Sequence, residues 1–119
     1  MKTAGLSTHV LDTANGCPAA GVRVEVFRVD GGRRAKVNAT VTDAQGRIPV
    51  LLPPGRTLTN GIFELDFHVG EYFAGQGVGN ADPAFLGVVT VRFGVYDATA
   101  HYHVPLLVSP FGYSTYRGS

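Results

Sequence analysis

Val22-Arg23-Val24-Glu25-Val26-Phe27-Arg28-Val29 is the stretch of sequence that decides the fold. Apolar and charged residues alternate along it, and a repeat of two residues is typical of a β-strand with one buried face. Val22, Val24 and Val26, with either Phe27 or Val29, would point into a core, whereas the charged Arg23, Glu25 and Arg28 would face solvent. Asp30-Gly31-Gly32 follows as a hairpin signal, with Arg33 and Arg34 expected at its solvated tip.

Short apolar runs of the same kind recur along the whole chain, separated by turn residues. The sixteen glycines and seven prolines suit many turns rather than a helical bundle. The further candidate strands cover residues 6–11, 35–42, 48–52, 61–69, 88–96, 101–108 and 113–117. A short helix is expected to begin within residues 71–74. This pattern predicts an all-β fold, a two-sheet β-sandwich of seven or eight strands with one short helix.

Length and charge restrict the possible functions. The 119 residues fit one domain, residues 1–119, which is long enough to bury a hydrophobic core. The net charge of +1 argues against nucleic acid or an anionic membrane as a partner. Cys17 is the only cysteine, so an intrachain disulfide and a cysteine-based zinc site are both excluded. No apolar leader is recognisable after Met1, and we expect a cytoplasmic protein.

The histidines are the residues best suited to chemistry. His101 and His103 are two apart in a candidate strand, so both rings should lie on one face, with Tyr102 on the other. Such a pair could bind a metal, or one ring could influence the charge of the other. His9 lies in another strand, and spacing alone does not say whether it meets His103. A single histidine in isolation is more often a packed or solvated polar residue.

Arg47 and the end of the sequence are weaker candidates. Arg47 follows a glycine turn. An arginine there is either a solvated residue at the edge of a sheet or a ligand-binding residue, whose planar guanidinium donates hydrogen bonds to an oxygen or an anion. Residues 113–119 read Tyr-Ser-Thr-Tyr-Arg-Gly-Ser, and the sequence ends close after the last candidate strand. An end of this kind could place its carboxylate and hydroxyl in a site, although most chain ends are frayed.

Several motifs together resemble the transthyretin-like 5-hydroxyisourate hydrolases. They are Leu-Ser-Thr-His-Val-Leu-Asp-Thr at 6–13, Gly-Arg at 46–47, His-Tyr-His-Val-Pro-Leu-Leu-Val-Ser-Pro at 101–110 and Tyr-Arg-Gly-Ser at 116–119. The resemblance covers essentially the whole chain, and the terminal tetrapeptide separates these enzymes from transthyretin, the hormone carrier of the same fold. The sequence departs from the family pattern mainly at 75–87, where no site residue is expected.

The resemblance implies two antiparallel four-stranded sheets and a homotetramer with active sites in a central channel, where subunits meet. It implies hydrolysis of 5-hydroxyisourate to 2-oxo-4-hydroxy-4-carboxy-5-ureidoimidazoline in urate degradation, without a cofactor or metal. The implied catalytic residues are His9, Arg47, His103 and Ser119. The implied substrate-binding residues are His9, Arg47, Tyr116, Arg117 and Gly118. His101 matches the first histidine of the family's His-Tyr-His and is expected to support the site or a metal seen in some members.

The reaction needs a base near water, a donor for the developing oxyanion and a proton for the leaving nitrogen. His103 and His9 are expected to activate water and move protons, with the identity of the base left open. Arg47 would stabilise negative charge. Three other hypotheses remain: a transthyretin-type carrier using the same channel, a structural or adhesive sandwich domain, and a zinc hydrolase built from His9, His101 and His103.

Overall fold

The computed structural model describes residues 5–78 and 81–119 as two packed β-sheets with one short helix. The elements in chain order are β1 (Gly5–Asp12), β2 (Cys17–Pro18), β3 (Arg23–Asp30), β4 (Arg33–Val41), β5 (Arg47–Ile48), β6 (Gly61–Phe67), α1 (Val69–Gly75), β7 (Val89–Val95), β8 (His101–His103), β9 (Leu106–Ser109) and β10 (Gly112–Thr115). No helix in the described ranges is long and apolar enough to cross a membrane.

The hydrophobic core lies between the inner faces of the two sheets. The four-stranded sheet has the order β4-β3-β6-β7, and its β3 contributes Val24 and Val26, both fully buried, as the alternating pattern predicts. The six-stranded sheet runs β10-β9-β1-β2, with β5 and β8 also paired to β1. Its strands β1 and β9 bury Val10 and Leu106 completely. Each such side chain contributes roughly 1.5–3 kcal/mol through burial.

The predicted two-sheet sandwich with one short helix is confirmed, and the details differ in strand count and direction. Ten strands are described because the stretch predicted at 101–108 divides into β8 and β9 at Pro105, which has no N–H for a ladder. Two pairings also involve strands of only two residues, β2 and β5. Both β8 and β9 run parallel to β1, so the six-stranded sheet is mixed rather than wholly antiparallel.

The helix begins slightly earlier than predicted and packs against the core. It spans Val69–Gly75 and buries Val69, Tyr72 and Phe73. The Tyr72 hydroxyl donates to Oδ2 of Asp12 at 2.7 Å. This bond joins the helix to the end of β1. Residues 79 and 80, within the stretch where the sequence departs from the family pattern, lie outside the described residues.

Two charged residues expected to be solvated bind partners on the outer face of the four-stranded sheet. Glu25 is only 8% exposed because Lys36 and His68 lie against its carboxylate, at 2.6 and 2.5 Å. Arg34 bonds to carboxylates of β6 and packs over the Phe27 ring at 3.8 Å. The expectation of a solvated residue is therefore wrong for Glu25, whereas Arg34 stays exposed as expected. Cross-strand neighbours supply the opposite charges for both residues.

Candidate active site

Strand register gathers the sequence-predicted histidines on one face of the six-stranded sheet. In the parallel pair β1–β8, His101 is opposite Gly5 and His103 is opposite Ser7. In the antiparallel pair β1–β5, His9 is opposite Arg47. Directly opposed residues share a face of the sheet, and so do residues two apart on a strand. The face that points away from the core therefore carries Ser7, His9, Arg47, His101 and His103.

Ser7 joins two of these histidines. Its Oγ lies 2.8 Å from Nε2 of His101 and 2.8 Å from Nδ1 of His103. Ser7 is buried, whereas both rings are half-buried. Tyr102, between the histidines, points to the opposite face and is 2% exposed. The predicted alternation of this strand is confirmed, and it places both imidazoles where a ligand could reach them.

The end of the described chain is fastened beside His103. Gly118 forms an antiparallel bridge with His103, and its N–H donates to the His103 carbonyl at 2.7 Å. A Cβ at Gly118 would lie 2.6 Å from Cδ2 of the His103 ring. Only glycine allows the chain to pass this close to the imidazole. The bridge carries Ser119 to the pocket described next.

An open pocket of about 1060 Å³ lies in front of this pair of histidines. Its polar wall contains Ser7, His101, His103 and Ser119. Residues after β5 form much of the rest of its lining, including the apolar Pro49, Val50, Leu52 and Leu58 and the polar Arg56 and Thr57. An apolar pocket with a few convergent polar groups is the usual form of a small-molecule site.

Arg47 and His9 lie beside this pocket rather than in its lining. The Arg47 backbone is fixed by Asp43, whose Oδ1 accepts its N–H at 2.9 Å and whose own N–H donates to the Arg47 carbonyl at 2.9 Å. Within the described ranges, the Arg47 guanidinium has no hydrogen-bond or ion-pair partner. Nε2 of His9 is 2.9 Å from the carbonyl oxygen of Gln45. Because a carbonyl only accepts, this bond requires a proton on Nε2.

The glycine before Arg47 is required by the local backbone. Gly46 has φ +75°, and a Cβ there would lie 2.4 Å from the carbonyl oxygen of Val10. The Gly46 carbonyl in turn accepts the Val10 N–H at 2.7 Å. The Gly-Arg motif therefore places Arg47 close against β1, next to His9.

Tyr116 and Arg117 have different surroundings. The Arg117 guanidinium stacks 4.0 Å from the Tyr102 ring, and its Nη1 donates to the Tyr96 hydroxyl at 3.1 Å. Tyr116 is 58% exposed. Neither belongs to the pocket lining. In this single chain, Arg117 anchors the terminal segment, and Tyr116 projects into solvent.

The zinc hypothesis needs three ligands in one place. Among residues 5–78 and 81–119, no group of three or more His, Cys, Asp or Glu side chains is arranged to hold a metal ion. His101 and His103 form a pair bridged by a serine, and the Nε2 of His9 is bonded to a backbone carbonyl.

Two features of the site were missed by reasoning from the sequence. Ser7 was not singled out, although the period of two that places His9 on a face also places Ser7 there. The pocket wall at residues 49–58 carried no recognisable signal, because its position depends on how a loop folds back over β1. The Leu51 N–H donates to the Leu6 carbonyl at 2.9 Å, which holds this loop against the strand.

Comparisons with known proteins find similar sequences and folds over nearly the whole chain. The model of the HIUase/Transthyretin family matches residues 6–118. The chain is 56% identical to a 5-hydroxyisourate hydrolase of Deinococcus radiodurans, over 97% of this chain and 96% of that protein. The solved structure of Klebsiella pneumoniae 5-hydroxyisourate hydrolase has a TM-score of 0.80 and 37% identity, covering 96% and 98% of the two chains. Sea bream transthyretin in complex with thyroxine has a TM-score of 0.84 and 30% identity, covering 95% and 93%.

Proposed function

The chain belongs to the HIUase/Transthyretin family, and we propose that it hydrolyses 5-hydroxyisourate, giving 2-oxo-4-hydroxy-4-carboxy-5-ureidoimidazoline in urate degradation. The observation that carries the proposal is the pair of imidazoles, joined by Ser7, on the wall of an open pocket with Ser119 beside them. The near full-length similarity to enzymes of this activity supports it. The whole of residues 1–119 acts as one catalytic domain.

Water attack on a ring carbonyl is the chemistry that this face suits. His103 takes a proton from the attacking water, since an imidazole is basic near neutral pH and this ring lines the pocket. Attack forms a bond from the water oxygen to the carbonyl carbon and places negative charge on the carbonyl oxygen. Collapse breaks the ring C–N bond, and the leaving nitrogen takes up a proton. No cofactor enters this scheme.

Arg47 binds the oxygens of the substrate, and His9 takes part in the proton transfers. An arginine fork can donate two parallel hydrogen bonds to carbonyl or oxyanion groups, and the Arg47 guanidinium is not committed elsewhere among the described residues. His9 is its cross-strand partner. With Nε2 bonded to Gln45, the Nδ1 edge of His9 is the one available to receive or return a proton.

The terminal tetrapeptide completes the site in different ways. Ser119 lines the pocket and offers a hydroxyl to the substrate. Gly118 sets the position of the His103 ring through its close approach. Tyr116 and Arg117 bind polar edges of the substrate in the assembled protein, where a neighbouring subunit extends the pocket.

We also propose that the working form is a cytoplasmic homotetramer. Strand β10 ends the six-stranded sheet, and three exposed aromatic side chains lie on or near it: Phe111, Tyr113 and Tyr116. Exposed edges and apolar patches of this kind favour association with another copy. Two copies of the histidine face would then enclose a channel. The single exposed Cys17, which has no intrachain partner, suits a reducing compartment.

A transthyretin-type carrier is the alternative, and the site favours the enzyme. Sea bream transthyretin is 30% identical to the chain, whereas hydrolases from several bacteria are 46–56% identical. A carrier needs only shape and polarity from its channel. The serine-bridged pair of imidazoles adds groups that can accept and donate protons, which a carrier does not need.

The decisive experiment follows the ultraviolet decay of freshly generated 5-hydroxyisourate. We expect fast decay with the wild-type protein, and decay close to the spontaneous rate with His103→Ala. Ser119→Ala should be intermediate. An unchanged spontaneous rate in the presence of folded wild-type protein would exclude the hydrolase, and binding of thyroxine-like ligands would then be measured.

A further inference from the structure

Ser7 makes two hydrogen bonds that a single hydroxyl proton cannot supply. Its Oγ lies 2.8 Å from Nε2 of His101 and 2.8 Å from Nδ1 of His103. A hydroxyl has one proton to donate, so it donates to at most one of these nitrogens. The other ring must donate an N–H to Oγ, because two lone pairs facing each other at this distance would not form a bond. Ser7 therefore couples the protonation states of the two rings.

The direction of these two bonds decides what His103 can do in the pocket. If Ser7 donates to Nδ1 of His103, a neutral His103 carries its proton on Nε2 and cannot accept another there. If instead Nδ1–H of His103 donates to Oγ, Nε2 keeps a lone pair and is basic. Only the second arrangement suits a residue that takes a proton from water.

We propose that Ser7 is a positioning residue, which accepts a hydrogen bond from Nδ1–H of His103 and donates its own proton to Nε2 of His101. It thereby holds His103 in the tautomer whose Nε2 is basic. The inference deepens the proposed function and rests on it, because the basic Nε2 has a role only if His103 activates water. His101 then acts as the acceptor of the Ser7 hydroxyl proton and does not itself contact the reacting atoms.

The hydrogen bonds from His103 through Ser7 to His101 also allow the positive charge that forms on His103 to move to His101. When Nε2 of His103 takes a proton from water, the Nδ1 proton can pass to Oγ of Ser7. The hydroxyl proton then passes to Nε2 of His101. Ser7 ends with one proton as before, His103 is neutral, and His101 carries the charge. The proton returns by the reverse route when the leaving nitrogen is protonated.

The surroundings of Ser7 keep the His103 ring beside its hydroxyl. Its side chain is buried, and its carbonyl accepts the Val104 N–H at 2.9 Å, directly after His103. Gly118 lies against the Cδ2 edge of the His103 ring. Backbone bonds on one side and the glycine contact on the other leave the ring little freedom to turn its Nδ1 away from Ser7. Buried hydrogen-bond networks of this type tend to fix one arrangement.

The test combines kinetics with nitrogen spectra of the histidines. Long-range ¹H–¹⁵N correlations distinguish protonated from unprotonated ring nitrogens, and the His103 signals are identified by their loss in His103→Gln. In the wild type we expect a protonated Nδ1 and an unprotonated Nε2 for neutral His103. In Ser7→Ala we expect a mixture of tautomers and kcat lower by about 10- to 100-fold, with KM little changed. That loss is smaller than the roughly 100- to 10,000-fold that a general base supplies.

Two further variants separate positioning from general damage to the strand. Ser7→Thr keeps the hydroxyl and should restore both the wild-type tautomer and most of kcat. Thr8→Val removes a buried hydroxyl one residue away, which donates to the Val104 carbonyl at 2.6 Å but contacts neither ring. It should lower the melting temperature and leave the His103 nitrogen signals as they are.

The outcomes distinguish this inference from the proposed function. A wild-type enzyme that hydrolyses 5-hydroxyisourate but carries the neutral His103 proton on Nε2 would overturn the role of Ser7 and leave the activity standing. A Ser7→Ala protein with the wild-type tautomer and kcat would do the same. If the wild type has no hydrolase activity, the proposed function fails, and the spectra still decide which ring donates to Ser7.

Discussion

Gly118 lies so close to the ring of His103 that only a hydrogen atom fits on its α-carbon. A methyl group there would lie 2.6 Å from Cδ2 of the ring, well inside van der Waals contact. The Gly118 N–H is also bonded to the His103 carbonyl at 2.7 Å, which prevents the segment from moving away freely. The third residue of the terminal tetrapeptide therefore has a steric task, namely to fix the imidazole in its position.

Gly118→Ala should accordingly impair catalysis more than folding. The added methyl group must displace the ring or the terminal segment, and a misplacement of about 1 Å can cost about 100-fold in rate. We expect kcat/KM for 5-hydroxyisourate to fall by at least about 10-fold, with a small change in melting temperature. Gly112→Ala is the matched control, because its new methyl group would meet Ser109 Oγ at an ordinary 3.9 Å. Equal activity of the two variants would show that the contact does not matter.

Arg47→Lys tests whether the guanidinium acts as a fork. Lysine keeps the charge but cannot make two parallel hydrogen bonds to one substrate. Since the Arg47 side chain has no partner in the described part of the chain, the exchange should leave the melting temperature unchanged. We expect kcat/KM to fall by roughly 100-fold, the scale of removing one oxyanion donor. Steady-state kinetics measures this.

Arg33→Lys provides the comparison for that experiment. Arg33 is exposed at the hairpin between β3 and β4, on the other sheet, and its exchange should change neither activity nor stability. If Arg47→Lys keeps full catalytic efficiency, the two parallel hydrogen bonds from Arg47 to the substrate are not needed, and Arg47 is a solvated residue at the edge of the site.

The sequence predicts local features of this fold well and tertiary pairings poorly. The alternation of His101, Tyr102 and His103 follows from strand geometry alone and is confirmed by the register of β8. Whether His9 lies near another functional group depends on β1 pairing with β5, a contact between residues 38 apart in sequence. No local pattern encodes that pairing, so spacing left it open.

The surroundings of charged residues are equally hard to predict from a local pattern. Alternation predicts solvent exposure for Glu25, and the hairpin signal predicts it for Arg34. Both side chains point away from the core. The burial of Glu25 comes from partners on neighbouring elements, such as Lys36 on β4, whereas Arg34 stays exposed. Alternation gives the direction of a side chain, whereas its neighbours depend on strand order. Ser7 was missed for a related reason, because its importance appears only once β8 is placed beside β1.

Tyr72→Phe tests the bond between the helix and the first strand. Burial raises the pKa of Tyr72 far above its usual value, and the hydrogen bond to Asp12 raises it further, so the phenol stays protonated and donates. Burial also favours the neutral form of Asp12, but bonds from Asn15, Tyr72 and Ala14 together lower its pKa below the usual value. Removing one donor to a buried carboxylate should cost about 1.5–3 kcal/mol of unfolding free energy.

Urea denaturation measures that loss, and the activity of the folded fraction should be unchanged because neither residue lines the pocket. Tyr96→Phe is the comparison: Tyr96 is 77% exposed, so the bond that its hydroxyl accepts from Arg117 should contribute much less to stability than a buried one. If both variants unfold at the same urea concentration, the Asp12–Tyr72 bond adds nothing that water cannot replace.

Glu25 should make the fold sensitive to acid. Hydrogen bonds from Lys36 and then His68 hold its pKa at about 2, against 4.5 for an ordinary glutamate. A carboxyl group whose pKa is lower in the folded state than in the unfolded state stabilises the fold when it is ionised. That stabilisation is complete above about pH 4.5 and is lost as the pH falls towards about 2. The melting temperature of the wild type should therefore decrease across this interval, beyond the decrease due to its other acidic groups.

Glu25→Gln removes the titration while keeping the shape of the side chain. We expect a lower melting temperature than wild type at neutral pH and a smaller decrease between about pH 4.5 and 2, so the two curves should converge in acid. Glu71→Gln is the matched control, because Glu71 likewise forms an ion pair, with Arg23, but its side chain is 61% exposed. An ion pair exposed to solvent contributes little to stability. Melting curves of wild type and Glu25→Gln that stay parallel across this interval would show that the folded and unfolded states hold the Glu25 proton equally. The contacts with Lys36 and His68 would then be packing rather than electrostatic stabilisation.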